Sequence, residues 1–378
     1  VMNAGSGAVL TALASLVSAI ASVPCSSVPI RMLSKWEIAA YYSLLACTSA
    51  IGSDAFGRYR FRRAAGRIAK RPAAVVCSVG MLFLLAFRSA PFEVVVLSVG
   101  QGDAIFVSAP GSAGILIDAG AAWAGVKHVV PYLARRGVRR LDLLVITHEH
   151  ADHAGGTGAV ANCVGAEYVA VPSCASGRAW AGILGEIAAA RGGRSPRVIR
   201  LSQGDVIRVG EVALEVLNPP PPSTAAALGR SVDANENSVV LRLVYRDFTM
   251  LLCADAGAWF ERRILDGPLP GSSLAAQVVK IGHHGSSGAS SSRFLEAVRA
   301  GLAIVSVGRN GYGHPSPAAI GRILDTGAEL RRTDTCGAVS VSIAPRLAAQ
   351  AKRSEVSCAA HDMRSVWGRA LMFRRLRM

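Results

Sequence analysis

Six consecutive residues, His148-Glu149-His150-Ala151-Asp152-His153, place three imidazoles and two carboxylates directly after an aliphatic run, Leu143-Leu-Val-Ile146. On an extended segment side chains two apart point to the same side, so His148 and His150 are expected to serve one point in space. Asp152 and His153 begin the turn that runs into Gly155-Gly156, and are expected to bend towards a second point. Two neighbouring positions furnished with nitrogen and oxygen donors are what a hydrolytic metal site needs, because divalent ions there acidify water and neutralise charge on the reacting centre. A lone histidine reads as an ordinary polar residue. Several potential ligands packed into six positions at a strand end do not.

The elements that must position this cluster are legible from Phe92 onward, where short aliphatic segments alternate with glycine turns and helical patterns. Segments 93–99 and 104–109 flank Gly100-Gln-Gly-Asp103, a hairpin signal. Further strands are expected at 115–117, 141–146, 168–171, 198–201, 206–217, 238–245, 249–253, 277–281, 303–307 and 339–343. Helices fit near 126–137, 178–191, 258–266, 290–300 and 316–326. Strands followed by β/α alternation, twice over, predict an α/β fold of two stacked sheets with helices outside.

The front of the chain has a different texture. Residues 7–23, 36–52 and 73–87 are apolar runs close to the lower limit of about 17–25 residues for a membrane-spanning helix. Between the last two, residues 58–71 carry seven positive charges, which the positive-inside rule places in the cytoplasm. The region after Phe92 is then expected on the outer face of the membrane. Residues 1–91 are thus read as a membrane segment of about three transmembrane helices, 92–343 as a hydrolase domain, and 344–378 as a basic, disordered tail.

The net charge of +16 invites a nucleic-acid reading, but it sits at the ends of the chain. Residues 1–91 hold 10 basic and 2 acidic side chains, 92–343 hold 23 and 21, and 344–378 hold 8 and 2. Bulk charge therefore says little about the central region. The eight cysteines form no C-x-x-C pair, which excludes a readable zinc ribbon or disulfide framework, and Cys253 is expected to be core. Arg135, Arg136, Arg139 and Arg140 precede the strand whose far end carries His148, and read as a solvated face or a membrane-surface contact.

The pattern H-x-H-x-D-H is the signature of the metallo-β-lactamase fold. Within that superfamily the central region resembles the external hydrolase domain of ComEC-type DNA-internalisation (competence) proteins. The resemblance is carried by Val99-Gly-Gln-Gly-Asp-Ala104, Leu116-Ile-Asp-Ala-Gly120, Thr147-His148, Asn235-Glu-Asn-Ser-Val239, Asp255, Lys280-Ile-Gly-His-His-Gly-Ser286, Ser306-Val-Gly-Arg-Asn310, Tyr312-Gly-His-Pro315 and Arg332-Thr-Asp334. The chain resembles a C-terminal portion of such a protein. The resemblance implies a metallo-β-lactamase αββα sandwich behind the transmembrane helices, and two divalent metal ions, Zn or Mn.

It also implies roles. His148 and His150 would hold one ion, Asp152 and His153 the other, Asp255 would bridge them and His284 would complete the second site. Asp118 would orient the metal loop from behind. Asp152, His283 and His314 would serve catalysis, His314 as phosphate contact or leaving-group acid. Asp103, Asn237, Ser286 and Ser287 would meet substrate. Other members of the superfamily use one more mid-chain histidine, whereas none occurs here between His153 and His283. The first ion is therefore expected to have fewer protein ligands.

The implied function is a membrane-anchored phosphodiesterase or nuclease of a DNA-uptake protein, acting on DNA outside the membrane beside other competence proteins. Two alternatives stay open: a non-catalytic DNA-uptake channel component, and a hydrolase of another phosphoester such as a cell-envelope phosphodiester.

Overall fold

The computed structural model describes residues 92–190, 195–227, 233–267 and 274–343, the strand residues 356–361 and 374–375, and the helical Ile38 and Tyr42. These belong chiefly to one of the chain's two compact units, Ser89–Ala134 with Val138–Met378. Apart from Ile38 and Tyr42, the apolar runs at 7–23, 36–52 and 73–87 lie outside the described residues. Among the described residues no helix is long and apolar enough to cross a membrane.

Strand patterning sets the layers. In β1 (Glu93–Val96) the even positions Val94 and Val96 enter one buried cluster, while Val95 and the following Leu97 enter another. Residues Leu143 and Val145 of β4 (Leu141–Val145) likewise oppose Leu144 and Ile146. In β10 (Phe248–Leu252) Phe248, Met250 and Leu252 face the first cluster and Leu251 a third. Strands buried on both faces need a covering layer on each side.

The first sheet runs β16-β15-β14-β1-β2-β3-β4-β5-β6. It adds β2 (Ile105–Ser108), β3 (Ile115–Ile117), β5 (Ala166–Pro172), β6 (Arg197–Leu201), β14 (Ala338–Ile343), β15 (Val356–His361) and β16 (Arg374–Arg375). The second runs β13-β12-β11-β10-β9-β8-β7, with β7 (Val206–Val209), β8 (Val212–Asn218), β9 (Val240–Tyr245), β11 (Val278–Lys280), β12 (Leu302–Val305) and β13 (Glu329–Arg332). Helix Gly177–Ala188 covers the outer face of the first sheet through Trp180 and Ile187. Helices Ala258–Asp266, Ser292–Val298 and Pro317–Asp325 cover the second through Phe260, Ile264, Phe294, Val298 and Ile323. The order is helix, sheet, sheet, helix: the αββα sandwich.

Direction matters more than layering for chemistry. Strands β3, β4 and β5 are mutually parallel, as are β10, β11 and β12. Their carboxyl ends release Asp118, His148, Asp255, His283 and Ser306 respectively after β3, β4, β10, β11 and β12. Ligand sites of open α/β sheets gather at such ends.

Several expectations change. The strand expected over 206–217 is a hairpin, β7 and β8, paired across the Gly210-Glu211 turn, with Gly210 at φ 57°. Short helices Ala151–Ala154 and Thr157–Cys163, and strand β13, were not foreseen; each of the four β13 residues is half-buried, so it shows no two-fold alternation. The tail expected to be disordered contributes β15, which pairs antiparallel with β14, and β16, which pairs with β15. Edge pairing uses backbone N–H and C=O groups, so apolar periodicity need not announce it.

Candidate metal centre

Three imidazoles define the floor of the site, and each has one ring nitrogen tied off. Asp118, φ 57° at the end of β3, accepts from Thr147 N (2.8 Å), from Thr147 Oγ1 (2.7 Å) and from His153 Nδ1 (2.8 Å). Because Thr147 Oγ1 gives its proton to Asp118, its lone pair accepts from His148 Nδ1 at 3.0 Å. His284 Nδ1 donates to the Ser306 carbonyl at 2.9 Å. Fixing Nδ1 as the protonated nitrogen leaves Nε2 as the lone-pair nitrogen of each neutral ring, the usual way a fold prepares histidine ligands.

Those Nε2 atoms converge on Asp255. His153 Nε2 lies 3.3 Å and His284 Nε2 3.5 Å from Asp255 Oδ1, and His148 Nε2 lies 3.9 Å from Oδ2. His153 and His284 face each other nitrogen to nitrogen at 3.3 Å, and His284 Nε2 is 3.5 Å from Asp152 Oδ2. Ligands about 2.0–2.1 Å from a tetrahedral ion stand roughly 3.3–3.4 Å apart. His148 Nε2 and Asp255 Oδ1 are buried without a hydrogen-bond partner among the described residues. Three groupings, all sharing His153, bring donor atoms close enough for a cation: His148, His153 and Asp255; Asp152, His153 and His284; and Asp103, Asp118 and His153, whose carboxylates are already taken by Lys280 and Thr147. The donor set fits a divalent ion.

The charges agree. Burial pushes Asp255 up, but the charges of His153 and His284 outweigh it and hold the carboxyl well below its usual range. Burial would lower His153, but Asp255 and Asp118 carry it well above the ordinary histidine value. In the metal-free protein a proton on His153 thus stands where a cation would. His148 is pushed well down by burial and by His153. Burial raises Asp152, yet its hydrogen bond to His284 and the charge of His153 bring it far below normal, so it stays ionised.

The sequence-derived site residues fall into three groups. His148, Asp152, His153, Asp255 and His284 are brought together, with Asp118 behind them, as expected. His150 is not in the donor cluster. It is exposed, its ring 4.7 Å from that of His148. The reason is local: β4 ends at Val145, and His150 is already the residue capping helix Ala151–Ala154, so strand alternation no longer applies. His148 pairs instead with His153 and Asp255.

Asp103, expected to face substrate, is buried and ion-paired with Lys280, which also donates to Ala254 O at 3.1 Å. Burial would lower Lys280, but Asp103 and Asp255 raise it and keep it charged. Asp103 reaches the ligands from behind, its Oδ1 3.7 Å from His284 Nδ1. Asn237 is half-buried, its backbone N–H donating to Asp233 O; it is Asn235 that meets His283, 3.4 Å from Nε2. Ser286 Oγ accepts from Gly288 N, and Ser287 is exposed with its carbonyl held by Arg322. His283 lies nearer the mouth, Nε2 3.9 Å from Asp255 Oδ2, and His314 stands beside it with ring centroids 5.5 Å apart. Cys253 is buried core, as expected.

Sequence reasoning missed the supports. Glu261 accepts from Ser290 N and from Ser291 N, and Arg322 donates to the carbonyls of Ser287, Ala289 and Ser290 at 2.7–3.0 Å. Together they hold the loop that follows His284. Gly102, at φ 129°, lies so close to Asp152 O that any Cβ would collide with it. Only glycine lets the β1–β2 loop press on the metal loop, where Asp103 N donates to the same carbonyl at 3.2 Å.

The metallo-beta-lactamase superfamily model matches residues 97–235. ComE operon protein 3 of Bacillus subtilis is 27% identical over 289 residues, covering 70% of this chain and 35% of that protein. Competence protein ComA of Neisseria gonorrhoeae is 32% identical over 260 residues, covering 66% and 32%. Recombination protein 2 of Haemophilus influenzae is 29% identical over 309 residues, covering 74% and 34%. The chain spans about a third of the length of these relatives. A metallo-beta-lactamase domain, a histidine and aspartate cluster at its strand ends and relatives of this kind lead to one conclusion: the chain carries a metallo-beta-lactamase domain and is similar to part of the ComEC-type competence proteins.

Proposed function

We propose that this domain is a divalent-metal-dependent phosphodiesterase that cleaves DNA during uptake, anchored by residues 1–91 with the hydrolase on the outer face of the membrane. The observation that carries the reading is the convergence of three Nε2 atoms on Asp255 with Nδ1 of each ring already bonded. The similarity to competence proteins supports DNA uptake as the setting, with DNA and other competence proteins as partners. Both donor groups draw on His153, which has one free nitrogen, so one ion would take His153 and a second, Zn or Mn, would rest on the remaining donors.

When bound, the ions supply Lewis acidity, lowering the pKa of a water and neutralising charge on phosphoryl oxygens. The chain's own residues orient and desolvate. Asp118 and Thr147 fix the rings of His148 and His153, and Ser306 fixes His284. Asp152, held ionised, is suited to ligation and not to acid catalysis. Burial lowers His283, and burial with the His283 charge lowers His314, so both favour the neutral ring. A neutral N–H at each can contact a phosphate oxygen, which makes His314 a phosphate contact in preference to a standing acid.

The test is cleavage of a labelled single strand by the purified chain, with Mn²⁺, with Zn²⁺ and with chelator. Metal-dependent cleavage that disappears in Asp152→Asn and His153→Ala variants is expected. Hydrolysis of small phosphodiesters without cleavage of DNA would favour a different phosphoester, and no hydrolysis at all a non-catalytic channel component.

A further inference from the structure

The most exposed large apolar side chain among the described residues is Tyr312, at 77%. Its loop is well tied. Asn310 Oδ1 accepts from the backbone N–H of Tyr312 (3.0 Å) and of His314 (3.1 Å), while Asn310 Nδ2 donates to the carbonyls of Gly308 and His314 (2.8 Å each). One amide therefore fixes both ends of the turn that presents the ring. The ring stands 5.9 Å from that of His314 at 33°, and His314 stands 5.5 Å from His283. His283 in turn is 3.9 Å from Asp255. Three rings thus lead in steps from the buried carboxylate to an open aromatic face at the rim. A fixed ring left open to water beside a site for phosphodiesters suits a planar, apolar partner that arrives with the phosphate.

We propose that Tyr312 is a stacking platform for a nucleobase next to the phosphate being cleaved, and that the substrate is accordingly single-stranded DNA. The idea rests on the phosphodiesterase reading above. A base in a duplex is covered on both faces and reaches a protein ring only by leaving its stack, whereas a base in a single strand offers a free face. Base-to-ring stacking tolerates any sequence, as degradation of incoming DNA requires.

The experiment uses the full chain in detergent, chelated so that nothing is cut, and fluorescence anisotropy with three probes of equal length: oligo-dT, the same strand with abasic sites, and a duplex. Oligo-dT is expected to bind about tenfold tighter than the abasic strand, in line with the loss of one stacked base. Tyr312→Ala should abolish that preference and leave duplex binding unchanged, and Tyr312→Phe should keep it. An unchanged preference in Tyr312→Ala overturns the proposal, and so does a Tyr312→Phe variant that behaves like Tyr312→Ala, because the hydroxyl would then be the contact. Hydrolysis of bis(p-nitrophenyl) phosphate with Mn²⁺, measured alongside, separates the two claims. A chain that hydrolyses it without base preference sinks only the stacking role. A chain that hydrolyses no phosphodiester sinks the reading beneath it.

Discussion

Between β4 and helix Ala151–Ala154 the first histidine loop stays in ordinary backbone regions, with His150 at φ −64° and ψ 145°. The second loop does not: His283 (φ 47°, ψ 46°) and His284 (φ 52°, ψ 25°) are both left-handed. Each such residue costs about 1–2 kcal/mol relative to the right-handed form. The conformation aims two adjacent side chains at different levels of the site, His284 into the floor and His283 towards the mouth. It is maintained from outside the loop, by Ala254 O accepting from His283 N (3.0 Å) and by Glu261 and Arg322 further along. Ligand density can thus be built by local sequence in one loop and by tertiary support in the other.

Asp255 is where the comparison breaks most completely, since it faces both loops. Asp255→Ala is expected to lower phosphodiester hydrolysis by at least about a hundredfold, and to reduce bound metal by elemental analysis. Full metal content in that variant would mean that the loops bind independently. Next comes the ion pair beneath them. Lys280→Met leaves Asp103 buried and uncompensated and should lose about 3–5 kcal/mol in urea denaturation, with Asp103→Leu in the same chain recovering most of it. Asp118→Asn disturbs only the first loop. A decrease of about 10- to 100-fold in metal affinity by competition titration is expected, with the fold retained.

Acidity probes the same loop. His153 is raised in the metal-free protein, so its pairing stabilises the fold below the unfolded histidine value and is lost as pH rises through the folded one. A metal must displace that proton. Affinity should therefore climb with pH, up to about tenfold per unit for each proton released, and calorimetry in two buffers of different ionisation heat would count the protons. The smallest effect is the most specific. His283→Gly relieves left-handed strain and should raise metal-free stability by about 0.5–1 kcal/mol, whereas His150→Gly, at a helix cap, should change it by only a few tenths. Equal changes would erase the distinction between the loops.

The same contrast decides what was legible in the sequence. His148 to His153 stand out because the ligand types are adjacent, and the layers follow from strands such as β1 whose two faces are both apolar. The strand alternation invoked for His148 and His150 does not apply, because the strand ends at Val145, and His150 stands beside His148 but outside the donor groupings. Asp255 and His284 emerge only through a family resemblance. Lys280, 177 residues from Asp103, and Glu261, about thirty residues from the amides it holds, act on partners that no local pattern displays. Strand β13 and the tail strands are held by backbone pairing at sheet edges and leave little trace in side-chain periodicity.

The division of ligands between the two sheets has a consequence for biosynthesis. His153 and His284 meet at 3.3 Å but are 131 residues apart in the chain. A growing polypeptide that has exposed the whole first loop still lacks one of the three donors of either group, Asp255 or His284. Either group is therefore complete only once the second sheet has been made and has docked. An ion bound earlier would be held by the donors of the first loop alone, and less firmly than by a complete group.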